Sequence, residues 1–197
     1  MTMNQHQFLW LATVFEGGLV LIAYLLGTWL SINPLEYFKP DLNAIVLGLI
    51  GTLPLYGLFI LTHRLDIAQD IRRFLIDKLG GILSGCSGVA LLYLGLLAGL
   101  TEEILFRGLL QPWLEQDWGW LGGLIFSNMI FALLHWITPF YALLAGLCGV
   151  YLGLMLDLGP ERNLVTPILV HALYDFLAFM AVAQMWRQKN GSPDGRV

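Results

Sequence analysis

Six apolar runs, each near or beyond the length of a bilayer crossing, follow one another along this chain. They are Phe8–Leu30, Ala44–Thr62, Ile82–Leu114, Trp120–Trp136, Phe140–Leu158 and Leu164–Trp186. A spanning helix needs about 20 mostly apolar residues. The composition agrees: 57% of residues are hydrophobic, only 12% are charged, and mean hydropathy is +0.72. A soluble domain carries about 25% charged residues. Half that supply leaves too little polar surface to cover a globule, which excludes an ordinary cytosolic enzyme and a disordered chain. The net charge of -4 gives no basic footprint for DNA or RNA, so no nucleic-acid partner is expected. The expected fold is all-α: a polytopic transmembrane bundle of six to eight helices in a lipid bilayer.

The connections refine this picture. Ser31–Asn43 holds Pro34 and Pro40 and reads as a loop, while Pro54 predicts a kink in the second span. In Leu65–Leu79 the apolar Ile67, Ile71, Phe74, Leu75 and Leu79 share a helical face, with Asp70, Arg72, Arg73, Asp77 and Lys78 mostly off it. That amphipathic connecting helix suits the membrane surface or docks as a linker on the bundle. Ile82–Leu114 has 33 residues and would run roughly 50 Å as one helix, so a break is expected near Gly95–Leu100, making one span or two. Gly149 and Gly153, with Ala145 before them, form a small-residue stripe for close helix packing. Cys86 and Cys148 lie in apolar stretches without the spacing of a disulfide framework or metal cluster, and read as small buried hydrophobes.

Lys and Arg in the loops set orientation. Arg64, Arg72, Arg73 and Lys78 cluster in one connection, and Arg187, Lys189 and Arg196 in the tail. Six spans put both segments on the cytoplasmic side with the N-terminus, whereas seven would not. No Lys or Arg precedes the first run, and no small-residue cleavage site follows it, so that span is expected to stay uncleaved. The chain divides into N-terminal spans with the connector (residues 1–80), a central transmembrane unit (81–186) and a polar cytoplasmic tail (187–197).

Function is signalled by side chains that should not be in apolar runs: Glu102, Glu103, Arg107, His135, His171 and Asp175. Each ionisable group at the bilayer centre costs about 2.5–3.5 kcal/mol on insertion scales, and such residues mark functional sites. Glu103 and Arg107 stand four apart with the acid first, the favourable order for a helical ion pair. Glu102, about 100° around the helix, is left without that partner, as suits a general base. His171 and Asp175 share a face, as do Phe131 and His135, with Asn128 beneath Phe131. Glu102 and His135 lie at similar distances either side of a turn near Asp117. His171 and Asp175 follow a turn near Glu161, so turns on one side would bring all four groups to within roughly 12 Å in depth. Glu16, beside Gly17 and Gly18, reads as an isolated structural residue.

Three motifs emerge. Glu102-Glu103-Ile104-Leu105-Phe106-Arg107 resembles the EExxxR motif of the CPBP intramembrane protease family, also called the Abi or CAAX-protease-like family. Phe131-Ala132-Leu133-Leu134-His135 resembles its FxxxH motif, and His171-Ala172-Leu173-Tyr174-Asp175 its HxxxN/D motif. The similar region runs from about Leu96 to Phe179. The resemblance implies a membrane-embedded peptidase, akin to type II CAAX prenyl endopeptidases and lysostaphin-resistance-like proteins, acting on a membrane-associated protein or peptide. Glu102 would activate a water that His135 helps to hold. His171 and Asp175 would support the oxyanion, with Glu103, Arg107, Phe131 and Asn128 supporting the site. Asp175 stands where the prenyl proteases carry Asn, so it is a donor only when protonated. A bacterial plasma membrane is the expected location.

The family has been described both as metal-dependent and as a metal-free glutamate–water enzyme. Glu102, His135 and His171 would be the ligands of a zinc ion, but no HExxH or other local signature supports one, and the metal-free reading is favoured. Serine and thiol mechanisms lack a motif. The competing reading is a non-catalytic immunity or regulatory protein binding a membrane partner. A proton pathway would use similar residues, but these occupy one depth and no inverted repeat is visible.

Overall fold

The structure, a computed structural model, describes residues 4–62 and 68–191, all of whose regular elements are helical. The elements are α1 (Gln5–Leu30), α2 (Leu42–Thr62), α3 (Gln69–Leu75), α4 (Gly81–Ser84), α5 (Gly88–Leu105), α6 (Gln111–Leu134), α7 (Pro139–Leu156) and α8 (Val165–Gly191). π-Helical turns at Ile76–Gly80 and Phe106–Leu110 join α3 to α4 and α5 to α6. Arg64, Leu65 and Ile67 of the connecting helix, and Arg196 of the tail, lie outside the described residues.

Five helical stretches are long and apolar enough to cross a membrane, and one, Gly88–Leu134, runs for 47 residues. At 1.5 Å per residue that is about twice a bilayer core. It folds back at Gly119, whose φ of 67° and ψ of 175° belong to a region essentially reserved for glycine. The reversal places Arg107 against Asn128, 21 positions on, with a 2.8 Å hydrogen bond. Among the described residues the two arms of this hairpin, 88–118 and 120–134, stand beside four other long apolar helices.

The turns at both ends of α7 and the α1–α2 loop identify the two faces of the bundle. On the far face, Arg162 joins Glu115 (2.6 Å) and Asp157 (2.7 Å) and lies 5.3 Å from the Tyr37 ring. Burial works against the Arg162 charge, but the bonds to Glu115 and then Asp157 outweigh it and hold the guanidinium above its ordinary value. The turns near Asp117 and Glu161 are thus on one side. Arg162→Ala is expected to leave Glu115 and Asp157 without the cation they share, each keeping only a neutral donor, Gln111 and Trp120 respectively. Lost charged hydrogen bonds of about 1.5–3 kcal/mol should lower the melting temperature in detergent, and an unchanged melt would count against this latch. On the near face, Arg187 donates to the Ser84 carbonyl and Lys189 pairs with Asp77. The amphipathic connector is therefore docked on the bundle, with Gly80 packed against Trp186.

The expected break near Gly95–Leu100 is absent. α5 is continuous, and the chain bends instead at residues 85–87 and widens at Phe106–Leu110. Gly95 and Gly99 mark the crossing with α8: an added Cβ would lie 2.5 Å from the Ala172 oxygen and 2.6 Å from its nitrogen, respectively. Small residues let membrane helices approach this closely. Gly99→Val is expected to push α5 from α8 at a cost of at least about 1–3 kcal/mol, because the obstacle is backbone. Thermal unfolding that matches wild type would contradict the close crossing.

Candidate active site

Helix geometry explains how the motif residues meet. α5 and the second half of α6 run antiparallel from Gly119, so Glu102 and His135 come to one level. Glu102 Oε2 lies 3.8 Å from His135 Nε2. The α5–α8 crossing at Gly99 and Ala172 sets Glu103 beside His171, whose Nδ1 is 2.8 Å from Glu103 Oε1. One turn along α8, Asp175 Oδ2 is 3.6 Å from His171 Nε2. Glu102, Phe131, His135, His171 and Asp175 all line one cavity of about 250 Å³. Its wall extends toward the near face over apolar residues of α2, α3 and α8, including Phe59, Ile71 and Met185.

The polar network beneath the cavity is built on Arg107, which is fully buried. Its guanidinium donates to Glu103 Oε1 (3.0 Å), Asn128 Oδ1 (2.8 Å) and the Gly149 carbonyl (2.5 Å). A side chain at Gly149 would occupy the space of Asn128, so the small-residue stripe serves both packing and this bond. The Arg107 plane is 5.2 Å from the Phe131 ring, and Phe131 stacks on His135 at 4.2 Å. Phe131 thereby links the ion pair to the cavity wall. The π-turn at Phe106–Leu110 holds Arg107 itself, and such turns recur at functional sites.

Proton geometry follows from the partners. His135 Nδ1 lies 2.9 Å from the Phe131 carbonyl, which only accepts, so Nδ1 carries the hydrogen. In the neutral ring Nε2 is then an acceptor aimed at Glu102. Glu102 Oε2 is buried and has no hydrogen-bond partner among the described residues. Of the two His171 nitrogens, Nδ1 is committed to Glu103 and only Nε2 remains for the cavity. Glu103 thus serves both Arg107 and His171, a second partner that sequence spacing did not suggest.

No group of three or more His, Cys, Asp or Glu side chains among the described residues stands ready to hold a metal ion. Glu16, read as isolated, instead accepts a 2.5 Å hydrogen bond from Thr101, the residue before Glu102. The Tyr141, Cys148 and Tyr174 side chains also line the cavity; Tyr141 and Cys148 belong to no motif, and Tyr174 fills an unspecified position of the third. A tyrosine near a membrane-helix start ordinarily reads as an interfacial anchor, so nothing in the sequence singles out Tyr141.

Fold and centre define a multi-pass membrane protein with carboxylate–imidazole pairs on the wall of an internal cavity. Residues 85–177 match the family model described as type II CAAX prenyl endopeptidase Rce1-like. The similarity covers a little under half of the chain and takes in Glu102, His135, His171 and Asp175. No curated protein and no solved structure gives a significant match.

Proposed function

We propose that this protein is an intramembrane endopeptidase that hydrolyses a membrane-associated protein or peptide, with Glu102 as the base that activates water. The observation carrying this reading is the facing pair of acceptors, Glu102 Oε2 and His135 Nε2, 3.8 Å apart on the cavity wall. Two acceptors at that distance are too far apart and wrongly matched to bond each other. A water donating one hydrogen to each would turn its lone pairs away from both and toward a substrate carbonyl. Glu102 would take the proton as attack proceeds. His171, fixed through Nδ1 by Glu103, would turn Nε2 toward the developing oxyanion, with Asp175 steadying that edge of the ring.

The arrangement also supports a direction of approach. Arg72, Arg73, Lys78, Arg187 and Lys189 belong to the near-face segments, and an excess of Lys and Arg marks the cytoplasmic side. The cavity wall running to α3 would then receive substrate from the cytoplasmic leaflet. A prenylated CAAX peptide is the substrate class named by the matched family and is the first peptide to try.

The test compares new protein N-termini in membranes of cells making wild type or Glu102→Gln at equal abundance. Termini that require Glu102 support the enzyme. Identical terminus sets overturn it and favour a non-catalytic membrane partner.

A further inference from the structure

Peptide hydrolysis at this centre, the reading proposed above and assumed here, requires oxyanion donors as well as a base. Water oxygen bonds to the carbonyl carbon, the C=O π pair moves onto oxygen, and a water proton passes to Glu102. Collapse returns that pair to the carbonyl and breaks the C–N bond. The proton on Glu102 goes to the leaving nitrogen, so a carboxylic acid and an amine form and the base is restored. Donors aimed at the oxyanion are the largest single contribution in many such reactions.

The motif residues supply few donors. Glu102 as base, and Asp175 when ionised, only accept. His135 Nδ1 is engaged by the Phe131 carbonyl, and His171 Nδ1 by Glu103, which leaves one His171 nitrogen. A partner donor has to come from elsewhere on the wall. Arg72 belongs to the α3 wall at the near face. Thr62 donates to the Phe59 carbonyl at 2.9 Å. Tyr174 is set edge-on to Phe59, on the α2 side, with ring centroids 6.2 Å apart.

Tyr141 is placed differently. It opens α7 directly after the His135 turn, where Thr138 caps its backbone N–H at 3.1 Å and Pro139 starts the helix. It lines the same cavity as Glu102 and Asp175. The hydroxyl makes no hydrogen bond among the described residues. We propose that Tyr141 is a catalytic residue whose phenol O–H donates to the oxyanion alongside His171, taking the place of the amide that Asp175 does not provide.

The test starts from the Glu102-dependent termini and uses a peptide spanning one such cleavage site. Rates are measured on the monodisperse fraction of wild type, Tyr141→Phe and Tyr174→Phe. Removing the Tyr141 hydroxyl leaves nothing unpaired, so the variant is expected to fold. Its kcat should fall about 10²–10³-fold, the loss typical of one oxyanion donor. Its KM should stay within about threefold, because the bond forms only in the transition state. A phosphinic analogue of the same peptide, which carries tetrahedral oxygens, should bind Tyr141→Phe at least about tenfold more weakly, a measurement independent of yield. Tyr174→Phe should stay within about threefold of wild type. Wild-type kcat in Tyr141→Phe, undiminished analogue binding, or transfer of the loss to Tyr174→Phe overturns the Tyr141 assignment and leaves the peptidase standing. If no terminus depends on Glu102, the peptidase reading falls and Tyr141 with it.

Discussion

Glu102→Gln is expected to cut Glu102-dependent cleavage by about 10²–10⁴-fold, the usual loss on removing a general base. It should leave the folded yield at the wild-type level. Gln keeps the length and shape of Glu102 and can still accept a hydrogen bond from water. It cannot take the proton as the C–O bond forms, so the defect should appear in kcat with little change in KM. Structure explains why folding should survive. Glu102 holds no helix in place: its Oε2 lacks a hydrogen-bond partner among the described residues, and its nearest ionic neighbour is His135 at 3.8 Å. An amide there replaces a buried carboxylate that nothing neutralises directly. The check is cleavage of the terminus-derived peptide together with size exclusion of the purified variant. Retained cleavage at normal yield would remove Glu102 from the chemistry. The buried acid would then need another purpose, such as recognising a basic group on a bound partner.

The parts of this site that could be read from sequence are those fixed along one helix or one hairpin. Glu103 and Arg107 form the expected i,i+4 pair at 3.0 Å. Counting equal distances from the turn near Asp117 anticipated the meeting of Glu102 and His135, because an antiparallel hairpin converts residue number into depth. What the sequence left hidden depends on helix crossings. The Glu103–His171 bond exists because α5 and α8 touch at Gly99 and Ala172, and no spacing rule carries that contact. The same glycines misled the expectation of a break. Gly95 and Gly99 look like helix breakers when viewed alone, yet in a membrane bundle they are where a second backbone comes close. Glu16 keeps a structural role but is not isolated, and its partner was hidden for a related reason: Thr101 is on another helix, 85 positions away.

Glu103→Gln should have the opposite signature, a loss of fold before any question of chemistry. Glu103 and Arg107 are both fully buried, and Glu103 Oε1 is shared between the guanidinium and His171 Nδ1. Gln removes the one negative charge that answers Arg107 directly, while the arginine stays charged at any accessible pH. Breaking a buried pair in this way costs about 3–5 kcal/mol, because the remaining charge is stranded in a low-dielectric interior. The neutral Asn128 and Gly149 acceptors keep two bonds to Arg107, but neither supplies charge. The expected result is a sharp fall in monodisperse protein and melting temperature, with Glu102→Gln, one residue away and chemically identical, showing neither. Adjacent glutamates would thus separate by environment alone: one binds three helices through Arg107 and His171, and the other faces the cavity. Equal yields and equal melting temperatures for the two variants would contradict that division and move the structural burden from Glu103 to the surrounding helix packing.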